Sequence, residues 1–265
     1  MMKITALVEN ISNSELKQKH GLSFYIDTDK HKILFDLGSD NTVFENARIK
    51  NIDLTKVDIV IISHGHKDHG GALEEFLRIN TKAKVYIQET AFESYYTKIL
   101  FFKIPIGLDK SLKEHSQIIL LNGDFEIDSE LLLFTVNDRS LSYSPMNNAL
   151  YNSNGLDEFT HEQNLIINEK SVTLIMGCGH SGVANILKIA DKYKPEICIG
   201  GFHLTNPITR RTVSKSLRDD ISKYLQAYNG IQFHTCHCTG MSAFKYLQRN
   251  TNNLHYFHCG DTIEI

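Results

Sequence analysis

No stretch of this chain is apolar over the roughly 20 residues that a membrane-spanning helix needs. The most apolar run in mid-chain, ILFFKIPIGL at 99–108, is interrupted by Lys103 and Pro105. The first residues, MMKITALVEN, turn polar too soon for a secretory signal. No polybasic cluster is present and the net charge is only −3, so neither a nucleic-acid track nor an anionic membrane surface is expected as a partner. There is no low-complexity segment and no short-period repeat. The five cysteines are an odd number, and four of them fall between Cys178 and Cys238 without the spread of a disulfide framework. Reduced thiols, a cytoplasmic location and a small-molecule partner are the expectation.

What is present is a chain of 265 residues, 42% hydrophobic, enough for a substantial core. KITALVE (3–9), LSFYIDT (22–28) and HKILFDLG (31–38) read as strands between polar turns. DNTVFENARIK (40–50) has helical spacing, with Asp40 placed to cap it. VDIVIIS (57–63) reads as a strand buried on both faces, and GGALEEFLRI (70–79) as a helix. Further strands are expected at 84–88, 116–121 and 125–136. Residues 90–115 carry the aromatics Phe92, Tyr95, Tyr96, Phe101 and Phe102. This segment allows three readings: a lid, a surface for a homodimer, or core filling. A polar, turn-rich connection runs from 137 to 163.

The second half repeats the grammar. NLIINE and SVTLIMG form a hairpin across Lys170, SGVANILKIADKY (181–193) is a helix, and EICIGG (196–201) is a strand. RTVSKSLRDDISKYLQAY (211–228) is a helix, IQFHTC a strand, MSAFKYLQRN a helix, and LHYFH and DTIEI end the chain as strands. Strands followed by alternating strand and helix in each half imply a layered α/β protein, helices outside and sheet inside. One domain over 1–265 is expected, with halves 1–136 and 164–265.

The stretch ISHGHKDHGG places three histidines and an aspartate within six positions, between the buried strand and a helix. Neutral imidazole is a metal donor at cytosolic pH. His64 and His66 are two apart in extended backbone, so both can face one ion. Asp68 and His69, half a turn on, can face a second point. Imidazole nitrogen and carboxylate oxygen suit zinc, with manganese or iron(II) as alternatives.

SHGHKDHGG resembles the signature of the metallo-β-lactamase superfamily. The resemblance implies a four-layer αββα sandwich, two mixed sheets with outer helices. It implies further ligands in LIMGCGHSG, as His180, and in FHTCHCTG, as His237. ILFDLG resembles the early strand ending in Asp-x-Gly, where Asp36 would hold the ligand loop from behind. The family's bridging aspartate is replaced: the equivalent strand ends ICIGGFHL, with Gly201 at that place. His203, two residues on, takes a coordination position or contacts substrate. HGLSFYI, MGCGHSGVANIL, GGFHL and HCTG are similar to a subgroup described as 7,8-dihydropterin-6-methyl-4-(β-D-ribofuranosyl)aminobenzene-5′-phosphate synthase-like.

The expected function is a metal-dependent hydrolase that uses a metal-activated hydroxide on a small phosphorylated or ester-type metabolite. One or two zinc ions would be held by His64, His66 and His180 and by Asp68, His69 and His237, with Asp68 also orienting the water. A dihydropterin synthase-like condensing enzyme and a non-catalytic, metal-dependent metabolite-binding protein are the alternatives. Arg139, Arg210 and Arg211 are candidates for holding a phosphate. Cys178, Cys236 and Cys238 flank the expected ligands and read first as buried small thiols. His20 and His161 read as surface or core histidines.

Overall fold

The computed structural model describes residues 1–99, 102–141 and 143–265. Phe101 of the aromatic segment lies outside them. Two seven-stranded sheets carry the fold. The first runs, in spatial order, Thr262–Glu264, Lys3–Val8, Ser23–Asp27, Lys32–Phe35, Ile59–Ile61, Lys84–Gln88 and Ile118–Leu121. The second runs Leu254–Tyr256, Gln232–Thr235, Ile197–Gly200, Val172–Ile175, Gln163–Asn168, Leu131–Thr135 and Phe125–Glu126. In each sheet one end is antiparallel and the other parallel.

The strand Ile59–Ile61 shows why this layering follows from sequence. Ile59 and Ile61 point into the core between the sheets, beside Ile4, Phe24, Phe35, Leu133, Leu165 and Ile199. Val60 points the other way, into the core under the helices Thr42–Ile49 and Leu73–Ile79. The second sheet likewise turns its outer face to the helices Val183–Ala190, Lys215–Ala227 and Met241–Gln248. The layers are therefore helix, sheet, sheet, helix, and each fully buried large apolar side chain contributes about 1.5–3 kcal/mol. No described helix is long and apolar enough to cross a membrane.

Local expectations shift in four places. The apolar run at 125–136 is two strands, Phe125–Glu126 and Leu131–Thr135, because Asp128 Oδ1 accepts from the backbone of Glu130 and Leu131 and turns the chain. Both join the second sheet, although they lie in the first half of the sequence. Asp40 is not the N-cap residue of the first helix; Asn41 is. Asp40 Oδ1 instead accepts from the Thr42 amide and hydroxyl, at 3.0 and 2.6 Å. The helix expected over 70–79 is two short ones, Lys67–Gly70 and Leu73–Ile79.

A third, four-stranded sheet joins Gly155–Leu156, Leu150–Asn152, Tyr96–Ile99 and Phe102–Pro105. It unites the aromatic segment with the connection at 137–163. Phe92 and Tyr95 are buried, whereas Phe102 is exposed.

Candidate metal centre

The turns that carry the expected ligands sit at the carboxyl ends of neighbouring parallel strands, where α/β folds place their sites. Lys32–Phe35 leads to Asp36, Ile59–Ile61 to His64 and His66, Val172–Ile175 to Cys178 and His180, Ile197–Gly200 to His203, and Gln232–Thr235 to His237. Asp68 and His69 lie in the short helix Lys67–Gly70. The backbone here is unusual: Asp36, His203 and His237 all have positive φ, 62°, 48° and 50°. Such conformations cost free energy and persist where the surroundings over-determine them. Gly65 is fixed by crowding, since a Cβ there would stand 2.4 Å from the Ala91 carbonyl oxygen.

His64, His66 and His180 bring their rings together, with centroids 4.5, 4.9 and 5.1 Å apart in the three pairings. Their Nε2 atoms are buried and have no hydrogen-bond partner among the described residues. Both ring nitrogens of His203, 4.1 Å from the His180 ring, are in the same condition. Buried polar atoms are ordinarily satisfied, so a converging set of them marks a place for a positive ion. A second group gathers on Asp68. Its Oδ2 lies 3.2 Å from His20 Nε2, 3.4 Å from His237 Nε2 and 3.8 Å from His69 Nε2.

The hydrogen bonds behind these rings fix which nitrogen faces the site. Asp36 Oδ2 accepts from His69 Nδ1 at 2.6 Å, and the same carboxylate accepts the Ser63 amide and hydroxyl, each at 2.7 Å. Because the Ser63 hydroxyl donates to Asp36, it accepts from His64 Nδ1 at 2.8 Å. Asn147 Nδ2 donates to the His180 carbonyl, so its Oδ1 accepts from His180 Nδ1 at 2.9 Å. Asn10 does the same for His237, Nδ2 to its carbonyl and Oδ1 to its Nδ1, both at 3.1 Å. In His64, His180 and His237 Nδ1 carries the hydrogen and Nε2 keeps its lone pair for the site, and in His69 the bond to Asp36 likewise turns Nε2 toward it.

Two buried glutamates hold the same turns by their backbone. Glu162 accepts from the amides of His180 and Ser181, each at 2.7 Å. Glu9 accepts from the amides of His237 and Ile11, each at 2.6 Å, and from the Tyr256 hydroxyl. His180 and His237 are thus each gripped twice, by an asparagine and by a glutamate.

Electrostatics prepare the two groups differently. Burial drives the pKa of His64 and His180 well below the ordinary value, and that of His66 to about 3. These three rings stay neutral and available as donors. Burial also works against charge on His69, but the carboxylates of Asp36 and Asp68 outweigh it and lift its pKa to about 9. Burial would raise Asp68, yet the charge of His69 and the bonds to His20 and His237 hold it well below the usual carboxylate range.

The connection at 137–163 supplies parts of the site that the sequence reading passed over. Asn147, Asp157, Phe159, His161 and Glu162 all come from it. Gly65 donates to His161 Nδ1 at 2.9 Å, so His161 Nε2 donates to Asp157 Oδ2 at 3.0 Å. Asp157 Oδ2 stands 3.9 Å from His66 Nε2. Burial raises the Asp157 carboxyl, but the bond from His161 overcomes this and keeps its pKa below the usual carboxylate range. His20 and His161, read as ordinary histidines, lie at the two edges of the centre. Tyr95 packs on His161 at 4.2 Å between ring centroids, filling space beside the site. Arg139 is partly buried with an Nε that has no partner among the described residues, whereas Arg210 and Arg211 are exposed in the turn between Thr205 and Thr212. No described contact joins any of the three arginines to the histidines. Of the cysteines, Cys178 and Cys238 lie among the ligand turns, and all five are buried without a disulfide.

Comparison with known proteins agrees with this architecture. The model of the metallo-beta-lactamase superfamily matches residues 17–139, the segment with Asp36, His64, His66, Asp68 and His69. An uncharacterized protein of Methanocaldococcus jannaschii is 30% identical over 276 residues, covering all of both chains. The 7,8-dihydropterin-6-methyl-4-(beta-D-ribofuranosyl)-aminobenzene-5'-phosphate synthase of the same organism is 27% identical, covering 100% of this chain and 97% of its own. A solved structure described as a metal-dependent hydrolase of the beta-lactamase superfamily superposes with a TM-score of 0.82 at 26% identity, covering 100% of this chain and 99% of that one. The four-layer sandwich, the matched His-rich segment and the full-length relatives together establish that this chain belongs to the metallo-beta-lactamase superfamily.

Proposed function

We propose that the protein is a metal-dependent hydrolase of a small phosphorylated or ester-type metabolite. The observation that carries this reading is the convergence of the partnerless Nε2 atoms of His64, His66 and His180, whose ring centroids lie within 5.1 Å of one another. These residues fit one or two zinc ions, or manganese or iron(II), with His64, His66 and His180 at one position and Asp68, His69 and His237 at the other. His203 is a further donor. Zinc bound there would lower the pKa of a bound water to about 7, and any of these ions would steady negative charge on oxygen.

The chain's own groups do the rest. Asp68 orients the attacking oxygen through Oδ2. Asp157, charged and held by His161, is placed to accept a proton beside His66. Phe159 and Tyr95 wall off bulk water. Arg139 has a guanidinium donor to spare for a phosphate.

The full-length likeness to a synthase favours a second reading, in which the same residues serve a condensation of a dihydropterin with an aminobenzene-ribose phosphate. Metal content of the purified chain, followed by a panel of phosphomonoesters, phosphodiesters, carboxylic esters and the two condensation substrates, separates the readings. Hydrolysis of a panel member that is lost in Asp68→Ala supports the first. Condensation without hydrolysis supports the second. Tight metabolite binding with no turnover overturns both in favour of a binding protein, the reading that the glycine at position 201 also invites.

A further inference from the structure

The family's shared aspartate has no counterpart at Gly201, and the structure shows what fills that space. A Cβ built on Gly201 would stand 2.5 Å from Cys238 Sγ, 3.1 Å from the Gly177 carbonyl oxygen and 3.4 Å from Cys178 Cα. No side chain fits there unless the Cys238 thiol moves. Sulfur occupies the volume from which a carboxylate would reach the ions.

One sulfur also lies near histidines of both groups. Cys178 Sγ belongs to a group with His64 and His180, to a second with His69 and His237, and to a third with His203 and Cys238; within each group the donor atoms all lie within 4.8 Å of one another. It is 3.2 Å from His69 Nε2. On one tetrahedral zinc, a thiolate sulfur at about 2.3 Å and an imidazole nitrogen at about 2.1 Å stand roughly 3.6 Å apart. Cys238 Sγ donates to the Cys178 carbonyl at 3.4 Å and belongs only to the group with His203. The independent sign of a ligand is the set of buried, partnerless imidazole nitrogens of His64, His180 and His203 around the same sulfur.

We propose that Cys178 supplies the donor shared between the two ion positions, a sulfur in place of the family's bridging carboxylate. Cys238 is the packing partner that keeps position 201 without a side chain. The proposal rests on the metal-centre reading above. It also implies a metal preference: a thiolate bridge favours zinc or cobalt(II) over manganese or magnesium, which prefer oxygen.

Cobalt(II) loaded into the full chain in place of its own metal gives two readouts, ions bound per chain and the near-ultraviolet charge-transfer band of a cobalt–thiolate bond. The expected result is two cobalt ions with the band, retained in Cys238→Ser. In Cys178→Ser the band is lost and the weaker ion binds about 10–100-fold less tightly. Two cobalt ions without the band, or a band that survives in Cys178→Ser, would overturn the sulfur assignment while leaving the metal centre intact. No uptake at all would overturn the metal centre itself. If Cys178→Ser does not fold, zinc X-ray absorption on the wild-type chain and Cys238→Ser decides. A sulfur shell near about 2.3 Å in both supports the proposal, and a shell of nitrogen and oxygen alone refutes it.

Discussion

The ring of Phe159 lies 4.2 Å from that of His180 and within 7° of parallel to it. Phe159 has a φ of 52°, unusual for a bulky residue, and is held there by Asp157 Oδ1, which accepts its amide, and by the Glu162 amide, which donates to its carbonyl. The ring closes one side of His180 and orders the chain between Asp157 and Glu162. Removing it as Phe159→Ala should cost about 3–5 kcal/mol, lowering Tm by roughly 10 °C, and should weaken metal binding. Calorimetry with and without metal measures both; an unchanged Tm and metal content would show that the ring is not part of the wall.

Asp36 joins the strand Lys32–Phe35 to both Ser63 and His69. Asp36→Asn keeps its shape and tolerates its positive φ, but one carboxylate oxygen that now accepts from both Ser63 and His69 becomes an amide donor or loses a partner. Metal affinity should fall about 10–100-fold with the fold retained, as is usual for a residue that orients a ligand. Competition with a chromophoric chelator reads the affinity, and circular dichroism checks the fold.

At the far end of the sandwich His31 bridges the two sheets. Its Nδ1 lies 2.8 Å from Asp58, ahead of the first-sheet strand Ile59–Ile61, and its Nε2 2.8 Å from Asp128, in a second-sheet turn. Burial disfavours charge on His31, but the bonds to Asp58 and Asp128 outweigh it and raise its pKa. A raised folded-state pKa means that the stabilisation is fully present below the unfolded value of about 6.5 and is lost as pH rises through the folded value. His31→Gln should therefore cost about 1 kcal/mol at pH 5.5, after allowing for solvent screening, and much less at pH 9.5. Urea unfolding at the two pH values tests this, and an equal cost at both would contradict it.

The converging imidazoles also bear on stability. An ion that binds only the folded chain, present at about 100 times its Kd, adds about 2.7 kcal/mol. Stripping the protein with a chelator should lower Tm by roughly 5–10 °C, and zinc should restore it. No change on either step would mean that these nitrogens hold no ion.

The His-rich bend and its strand were legible because a continuous apolar, β-branched run precedes the bend and helical spacing follows it. The hairpin at 163–175 was legible because two short apolar runs, NLIINE and SVTLIMG, flank one polar turn. The gripping residues were not. Asn10, Asn147 and Glu162 each act alone, from segments whose local pattern is set by the turn rather than by the site. One signal was available: Glu9 and Asn10 follow directly on the apolar strand residues ALV, and a carboxylate so placed must find partners inside. His203 was visible only through the likeness of GGFHL to the family. The nearness of Cys178 to both histidine groups was hidden because it arises where separate turns meet in space, not from any local pattern.

The double grip on His180 and His237 has a temporal side. Glu9 and Asn10 follow the first strand Lys3–Val8, Asn147 and Glu162 come from the middle of the chain, and the separations are 18 positions for Glu162–His180, 33 for Asn147–His180 and 227 for Asn10–His237. Closing such distant loops comes late, after the local hairpins and helices. A nascent chain that has not yet reached position 237 has His64, His66 and His180 but no His237. Such a nascent chain can offer a partial set of donors, while the complete set exists only once the ends have met.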